Sequence, residues 1–248
     1  GLWAIGAIPE KITYRGFIAR HSLGFSHPNQ LGLAIFQWVL CYCYVRWEKM
    51  RFADLAVFGL LAFLVHKVAD SQTAVACILL VALFVTTAKI LDYFNLSYHA
   101  MLSRVCTIGS LIFAVGSLIL TWIDVKKNVI LKLFDMFLSS RFSVCHQILG
   151  LYGSSLFGQK VYVGDAARTM LGITYNTYMD NAYATLWLRF GIIFAVFFIV
   201  VYCLQYRGFM QVTKVTMILF IFSIYGIMES GIYQLYHNIF VLLFAFLL

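Results

Sequence analysis

The chain has 248 residues, of which 62% are hydrophobic and 11% are charged, and its formal net charge is +8. Ordinary soluble domains are about 45–50% apolar and about 25% charged, so a soluble fold cannot hide this much apolar surface. The composition therefore excludes a soluble globular protein and predicts a polytopic membrane protein.

Apolar runs follow one another along the chain and predict membrane-spanning helices, each of which needs about 20 residues. The runs are 31–45, 52–65, 74–90, 105–123, 183–204, 215–228 and 239–248. Several are shorter than a full span, so Tyr, Trp and Lys at the interface must complete them. We expect an all-α transmembrane helix bundle with six or seven spans, no β-sheet, and a single integral membrane domain over 1–248.

The start of the chain has no Met and lies inside an apolar stretch, residues 2–8, while the last residues are apolar as well. No basic segment precedes this stretch, so the start lacks the pattern of a cleavable signal peptide. We expect the chain to be part of a longer protein, or one trimmed at its start.

Loop charges predict the orientation of the bundle. Seven Lys and Arg residues fall in three connections on one side: 46–51, 89–104 and 205–214. Four fall in the short loops on the other side: 11–27, 66–72 and 229–237. The positive-inside rule places the first set in the cytoplasm. The long connection 124–182 carries six more and would reverse the count, but at nearly 60 residues it lies at the edge of the rule's range, so we expect it on the outer face.

The segment before the first run, residues 20–32, places polar side chains at the mouth of a membrane helix. Ser26 can cap this helix, and Pro28 sits in its first turn, where a missing N–H costs nothing. The positive end of the helix dipole then faces the water boundary beside Arg20 and His27. Such a place can hold an anion such as a phosphate.

The cysteines and the known metal and nucleotide motifs add no further site. Five of the six cysteines lie in apolar runs, where Cys behaves as a small hydrophobe, and Cys145 alone falls in an outer loop. No disulfide framework is visible. The chain lacks Cys-x-x-Cys, His-Glu-x-x-His, Asp-x-Asp and a Walker-type glycine loop. An enzyme built on this chain is expected to work without a metal, a nucleotide or another cofactor.

The long outer loop, 124–182, divides into two parts. The first carries polar residues at spacings of four, three and four: Asn128, Lys132, Asp135 and Ser139. These form one stripe of an otherwise apolar helix over 126–139, and such a helix lies in the headgroup region with its apolar side down. The second part, 150–158, is rich in Gly and Ser and is expected to turn tightly.

Short motifs along the chain resemble those of the bacterial O-antigen and capsular polysaccharide polymerase/ligase superfamily. The first is the pattern Arg20, Gly24, His27-Pro28-Asn29, Gly32. Later motifs accompany the long loop in the family's order: Arg141, Leu156-Phe157-Gly158, Asp180-Asn181, Tyr183 and Gly191. Residues 70–74 resemble the family's Ser-Arg-Thr entry into a helix, but Gln72 stands where Arg is usual, which weakens an anion-binding role there. The similarity covers most of the chain from Arg20 onward.

This resemblance implies a Wzy-type polymerase, which joins oligosaccharide repeat units on undecaprenyl pyrophosphate at the outer face of the bacterial cytoplasmic membrane. A hydroxyl of the acceptor attacks the anomeric carbon of the donor chain, and lipid pyrophosphate leaves. The protein supplies cations for the phosphate charge, one base and correct placement. The expected partners are the lipid-linked oligosaccharide, the bilayer, a flippase and a chain-length regulator, and nucleic acid is not among them.

Candidate site residues follow from this chemistry and from the resemblance. Arg suits pyrophosphate because its planar fork engages phosphate oxygens in pairs. The expected pyrophosphate- and glycan-binding set is Arg20, Arg141, Asn29, Asn181, Arg15 and Arg168. The catalytic candidates, with the base ranked first, are His237, Asp180, Glu229 and His27. Arg189, inside an apolar run, is expected near the outer edge or paired with Asp180.

Each candidate also has a structural interpretation. Basic residues near a membrane surface are ordinary snorkelling anchors, which applies to Arg15, Arg20, Arg141, Lys160 and Arg168. His27 and Asn29 can bond the first turn of a helix locally. These interpretations stay open on sequence grounds.

Three other functions also stay open. A ligase that moves a finished chain onto another acceptor shares the motifs quoted above. A lipid-oligosaccharide flippase would need more spans, internal two-fold repeats and a charged central cavity, whereas the charges here gather at the outer edge. A channel or structural subunit would leave the long outer loop without a purpose.

Overall fold

The computed structural model describes most of the chain, in these ranges: 11–15, 17–172, 177–209, 212–234 and 237–242. Contacts divide it into two compact units. The first unit runs up to Tyr98 and takes in Val212–Ile221, and the second takes in the rest of the described chain.

The described chain is predominantly helical, as the composition predicts. Three of its helices are both long and apolar enough to cross a membrane: Phe52–Ala69, Gln72–Tyr93 and His99–Trp122. The helices Ile192–Gly208 and Thr213–Met228 are apolar but shorter. These segments mark the chain as a membrane protein.

The first unit opens with a β-hairpin, so the prediction that the chain has no sheet was wrong. Strands β1 (Ile12–Arg15) and β2 (Ile18–His21) pair antiparallel, and Ile12 lies opposite His21. The prediction assumed that open strand edges are not tolerated in lipid. The hairpin precedes the first apolar run, so that constraint does not act on it.

Three helices pack against one another in the first unit: α1 (Pro28–Arg46), α2 (Phe52–Ala69) and α3 (Gln72–Tyr93). They contain the predicted runs and extend them with polar residues at the ends. Helix α1 approaches the start of α3 at Gly32, where a Cβ would lie 2.7 Å from the Cβ of Ser71. The link from α2 to α3 is short because Asp70 adopts a left-handed conformation with φ of 44°.

The second unit contains the remaining helices: α4 (His99–Trp122), α5 (Val129–Phe137), α6 (Arg141–Tyr152), α7 (Asp165–Leu171), α8 (Ala182–Thr185), α9 (Ile192–Gly208) and the last residues of α10 (Thr213–Met228). The predicted run 183–204 is not one helix. Helix α8 passes into a π-helical turn, Leu186–Phe190, and the chain then breaks at Gly191, whose φ is 94°. The expected seventh run, 239–248, lies mostly outside the described residues.

Buried hydroxyl groups tie the helices of the second unit together. The Ser110 hydroxyl of α4 lies 2.7 Å from the Tyr206 hydroxyl of α9 and donates to Ser223 Oγ of α10 at 2.9 Å. The Tyr183 hydroxyl of α8 donates to the carbonyl of Ser223 at 2.9 Å. Hydrogen bonds between small polar side chains are a usual means of holding membrane helices in register.

Helix α5 forms where the sequence predicts an amphipathic helix, but its polar stripe is not as predicted. Asn128 caps the helix by accepting two first-turn amides, at 2.9 and 3.2 Å. Asp135 is only 3% exposed and accepts from the amides of Phe142 at 2.8 Å and Ser143 at 3.3 Å. Asp135 therefore caps α6 instead of facing water, and the prediction that it is exposed beside Lys132 was wrong.

Candidate functional site

An arginine and two carboxylates from distant parts of the second unit meet at one place. Arg141 holds Nη1 3.6 Å from Asp180 Oδ2 and Nη2 3.5 Å from Glu229 Oε1. Its Nη1 also donates to the carbonyl of Asp180 at 3.4 Å. The sequence had singled out all three, Arg141 for binding pyrophosphate and the two acids as candidate bases. We call these three residues the acid–arginine cluster.

Helix ends position the cluster. Arg141 is the first residue of α6, and the preceding Ser140 adopts a left-handed conformation with φ of 60°. Asp180 directly precedes Asn181, the N-cap residue of α8, and Glu229 directly follows the last residue of α10. Each side chain is thus fixed by the start or end of a regular element.

The guanidinium of Arg141 is largely buried but loosely bound. Its side chain is 11% exposed, against 18% for Glu229 and 49% for Asp180. The contacts of 3.5 and 3.6 Å are longer than the roughly 2.7–2.9 Å of a tight charge-assisted hydrogen bond. Within the described chain, the buried Nε of Arg141 has no hydrogen-bond partner. The guanidinium therefore keeps donors for a ligand, and half-exposed Asp180 is the carboxylate that a phosphate oxygen can replace most easily.

His237 lies on the chain segment that follows Glu229. Its imidazole packs against Gly231, where an added Cβ would collide with the ring. Burial lowers the pKa of His237 below its ordinary value of 6.5. The ring is therefore neutral at neutral pH, which is the form that can accept a proton.

Asn181 makes structural contacts at both ends of its side-chain amide. The residue is fully buried, and its Oδ1 accepts from the amide of Ala184 at 2.9 Å. Its Nδ2 donates to Ser117 Oγ on α4 at 3.0 Å. Both ends of the amide are occupied by the fold, and the predicted contact with substrate stays a prediction. Asn181 instead fixes the start of α8, next to Asp180.

Buried Arg20 and half-buried Asn29 contact each other in the first unit. Arg20 is 6% exposed, and its Nε donates to the carbonyl of Ala69 at 2.9 Å. Its Nη2 donates to Asn29 Oδ1, and its Nε lies 4.0 Å from Asp70 Oδ2. The guanidinium thus ties β2 to α1 and to the end of α2. This geometry favours the structural interpretation of both residues, and their predicted role in pyrophosphate binding stays a prediction.

His27 takes the helix-capping role that was predicted for Ser26. The Nδ1 of His27 accepts from the amide of Asn29 at 3.1 Å, while Ser26 Oγ donates to Gln30 Oε1 at 2.7 Å. Pro28 lies in the first turn of α1, so that prediction is confirmed. The use of Nδ1 as a cap supports the structural interpretation of His27 over a catalytic one.

Among the described residues, no contact links the other cationic candidates to the acid–arginine cluster. The side chain of Arg15 lies outside the described residues. Arg168 is exposed on α7 and lies 3.8 Å from Asp165 of its own helix. Arg189 does not pair with Asp180 as expected, because Asp180 faces Arg141. The expected site includes Arg20 and His27 of the first unit beside Arg141 and His237 of the second, and that grouping stays a prediction.

A backbone pairing beside the π-helical turn was missed at the level of sequence. The amide of Gln159 donates to the carbonyl of Arg189 at 3.0 Å, and the amide of Ile192 donates to the carbonyl of Ser155 at 3.0 Å. Gly158 and Gly191 lie at the centre of this pairing. The motif residues Leu156-Phe157-Gly158 and Gly191 were the available signal, but nothing in the sequence showed that they touch.

In the described ranges, no group of three or more His, Cys, Asp or Glu side chains is placed to hold a metal ion. No family model, curated protein or solved structure matches the chain. We therefore infer function from the chain's own residues.

Proposed function

We propose that the chain is a Wzy-type repeat-unit polymerase, a metal-independent glycosyltransferase of the bacterial cytoplasmic membrane. It extends a polysaccharide carried on undecaprenyl pyrophosphate at the outer face, and the proposal includes six or seven spans around an external loop. The observation that carries it is the acid–arginine cluster, in which a largely buried cation lies loosely between two acids.

Arg141 is the proposed cation for the departing pyrophosphate. Its guanidinium presents paired donors, the geometry that suits phosphate oxygens. A pyrophosphate oxygen replaces the half-exposed carboxylate of Asp180, while the less exposed Glu229 stays in place and orients the guanidinium. Preorganised donors aimed at developing charge are usually the largest single contribution to catalysis.

His237 is the proposed base. Its neutral imidazole takes the proton of the acceptor hydroxyl as that oxygen attacks the anomeric carbon of the donor chain. The bond from the anomeric carbon to the phosphate oxygen breaks, and the pyrophosphate leaves with the electron pair. Base catalysis of this kind contributes about 10²–10⁴ in rate. The support is that burial lowers the pKa of His237, which keeps the ring neutral at neutral pH.

Helix α5 is the proposed link between the site and the membrane surface. Its apolar side chains are exposed, among them Val129, Ile130 and Phe137. A helix of this kind lies in the headgroup region. Asp135 of α5 binds the amides at the start of α6, which begins with Arg141. The depth at which α5 lies in the headgroup region therefore sets the position of Arg141 relative to the membrane surface. Lipid-linked substrate reaches the protein at this surface.

Deletion of the gene in the native host, followed by sizing of lipid-linked glycans, tests the proposal. A polymerase defect leaves single lipid-linked repeat units on the outer leaflet. A ligase defect leaves long lipid-linked chains that are not transferred, and a flippase defect traps single units on the cytoplasmic leaflet. Long chains of normal length in the deletion strain would overturn the proposal.

A further inference from the structure

A second polar site lies in the second unit, away from any residue assigned above. A cavity of about 440 Å³ opens near the start of α4 and the end of α9. Two arginines line it together with hydroxyl-bearing and apolar residues: Ser103, Arg104, Thr107, Ile108, Tyr206 and Arg207.

The two arginines of this cavity are exposed and carry uncompensated positive charge. Across the described part of the chain, neither Arg104 nor Arg207 has a carboxylate within ion-pair distance. Two arginines that line one cavity repel each other, and an anion bound there offsets that repulsion. The cavity is therefore suited to a ligand with at least one negative charge.

Hydrogen bonds fix the walls of the cavity. The Ser103 hydroxyl donates to the carbonyl of Tyr206 at 3.1 Å, which ties α4 directly to α9. The Thr107 hydroxyl donates to the carbonyl of Ser103 at 2.8 Å. These hydroxyl protons are used within the protein, so the two arginines are the donors left for a ligand. Their backbone positions are set by rigid helices, which favours binding of a preferred geometry.

An apolar stripe leads away from the cavity along α4. Val105, Ile108 and Ile112 are exposed, and their spacings of three and four place them on one face of the helix. An anion that enters the cavity from this side can carry a hydrocarbon chain along the stripe. On the orientation predicted from loop charge, this end of the helices lies at the cytoplasmic leaflet, whose surface is rich in anionic lipid.

We propose that this cavity binds the phosphate group of an anionic phospholipid, with Arg104 and Arg207 as its ligands and the acyl chains along α4. Guanidinium groups bind phosphate oxygens in pairs, which selects phosphate over a simple halide. The same phosphate chemistry is offered by inorganic phosphate, so the test distinguishes these two sources.

The test uses the full chain purified in detergent and titrated with tail-labelled phosphatidylglycerol or phosphatidylcholine in mixed micelles. The variant is Arg104→Gln with Arg207→Gln, and the matched control is Lys49→Gln with Arg51→Gln, which removes two exposed charges elsewhere. We expect the first variant to bind phosphatidylglycerol about tenfold more weakly, equivalent to about 1.4 kcal/mol. The control and the affinity for phosphatidylcholine are expected to be unchanged.

Competition with excess inorganic phosphate shows whether the cavity binds the phosphate of a phospholipid or inorganic phosphate. Displacement of labelled phosphatidylglycerol shows that phosphate alone fills the cavity, and failure to displace shows that the lipid is the occupant. Arg104→Lys with Arg207→Lys keeps both charges and is expected to bind more tightly than the Gln pair, which guards against a folding defect. Equal affinity for both lipids, or undiminished binding by the Gln pair, would overturn the proposal.

Discussion

Gly158 and Gly191 meet backbone to backbone, and both have positive φ, at 96° and 94°. A Cβ on Gly158 would lie 2.5 Å from the carbonyl oxygen of Arg189 and 2.9 Å from the carbonyl carbon of Phe190. A Cβ on Gly191 would collide with the amide of Gly158 and lie 2.7 Å from the carbonyl carbon of Leu156. This contact fixes the end of the π-helical turn against the loop that follows α6.

Gly191→Ala is expected to destabilise the protein by at least about 2 kcal/mol. A backbone with φ of 94° and ψ of 165° is essentially restricted to glycine and costs an L-residue about 1–3 kcal/mol, and the collision with backbone adds to this cost. The measurement is the midpoint of thermal unfolding of the purified chain in detergent.

Two further glycines separate the causes of that loss. Gly153 has φ of 70° but open space around its Cβ position, so Gly153→Ala reports the conformational cost alone. Gly150 lies inside α6 with open space around it, so Gly150→Ala is expected to be neutral or stabilising by about 0.5–1 kcal/mol. A loss for Gly191→Ala no larger than that for Gly153→Ala would refute the importance of the contact.

Helix α5 is expected to place its apolar face in lipid while Lys132 reaches water. In liposomes, Lys132→Cys should react with an aqueous maleimide, whereas Asp135→Cys should not, because position 135 is buried against α6. A fluorophore on Ile130→Cys should be quenched by nitroxide-labelled lipid. The native Cys145 adds no background, since it is buried and burial raises the pKa of its thiol to about 12. Quenching at position 132 as strong as at 130 would contradict this arrangement.

Arg20→Gln is expected to reduce stability, because Arg20 acts as a structural tie. The substitution removes buried donors to the carbonyl of Ala69 and to Asn29, and it removes the ion pair between Arg20 and Asp70. Charged hydrogen bonds of this kind contribute roughly 1.5–3 kcal/mol. Thermal unfolding of the variant is compared with that of Arg168→Gln, which changes an exposed arginine. If the Arg20→Gln protein kept native stability but cells that carry it made no polymer, Arg20 would belong to the substrate site and not act only as a structural tie.

Much of the fold could be predicted because apolar composition alone fixes where membrane helices form. The runs 31–45, 74–90 and 105–123 each lie within or nearly within a single helix. The hairpin was missed because its four-residue strands are too short for alternation to stand out. The break at Gly191 was missed because hydrophobic periodicity does not reveal a π-helical turn or a backbone contact from a distant loop.

The candidate site could be predicted only in part. The family resemblance led to Arg141, and the outer loops led to Asp180 and Glu229; each of the two carboxylates lies within 3.6 Å of Arg141. The inward-facing contacts of Asn181 and Arg20 were not predicted. Whether a polar side chain turns inward depends on partners that are distant in sequence, and Asn181 finds Ser117 on another helix. Local sequence holds no signal of such a partner.

The proposed base gives the reaction a characteristic dependence on pH. A base is active when neutral, and burial lowers the pKa of His237 below 6.5. The neutral form therefore persists to lower pH than for an exposed His, and activity is lost only as pH falls through the depressed pKa. In a polymerisation assay with purified chain and lipid-linked repeat units, the acid midpoint is expected below pH 6.5. His237→Gln should lower the rate about 10²–10⁴-fold and remove this midpoint. A midpoint at or above 6.5 would contradict the assignment.

Arg141→Lys is expected to cripple polymerisation while the protein stays folded and inserted. The ammonium keeps a positive charge between Asp180 and Glu229, so the loss of stability is small. It cannot bridge both carboxylates with separate nitrogens, as Nη1 and Nη2 do at 3.6 and 3.5 Å, nor offer paired donors to a phosphate. One lost charge-assisted bond is worth roughly 1.5–3 kcal/mol, which corresponds to a step about ten- to a hundredfold slower.

The readout for Arg141→Lys is the size of lipid-linked glycans in cells that carry the variant as their only copy. Single repeat units should accumulate on the outer leaflet in place of long chains, while Arg51→Lys, at an exposed arginine outside the candidate set, should leave chain length unchanged. Labelling of sugars at the cell surface separates this outcome from a flippase defect, because a flippase defect keeps the units inside. Polymer of normal length in the Arg141→Lys strain would remove Arg141 from the site, because a residue that binds the leaving group cannot lose its paired donors without slowing the reaction.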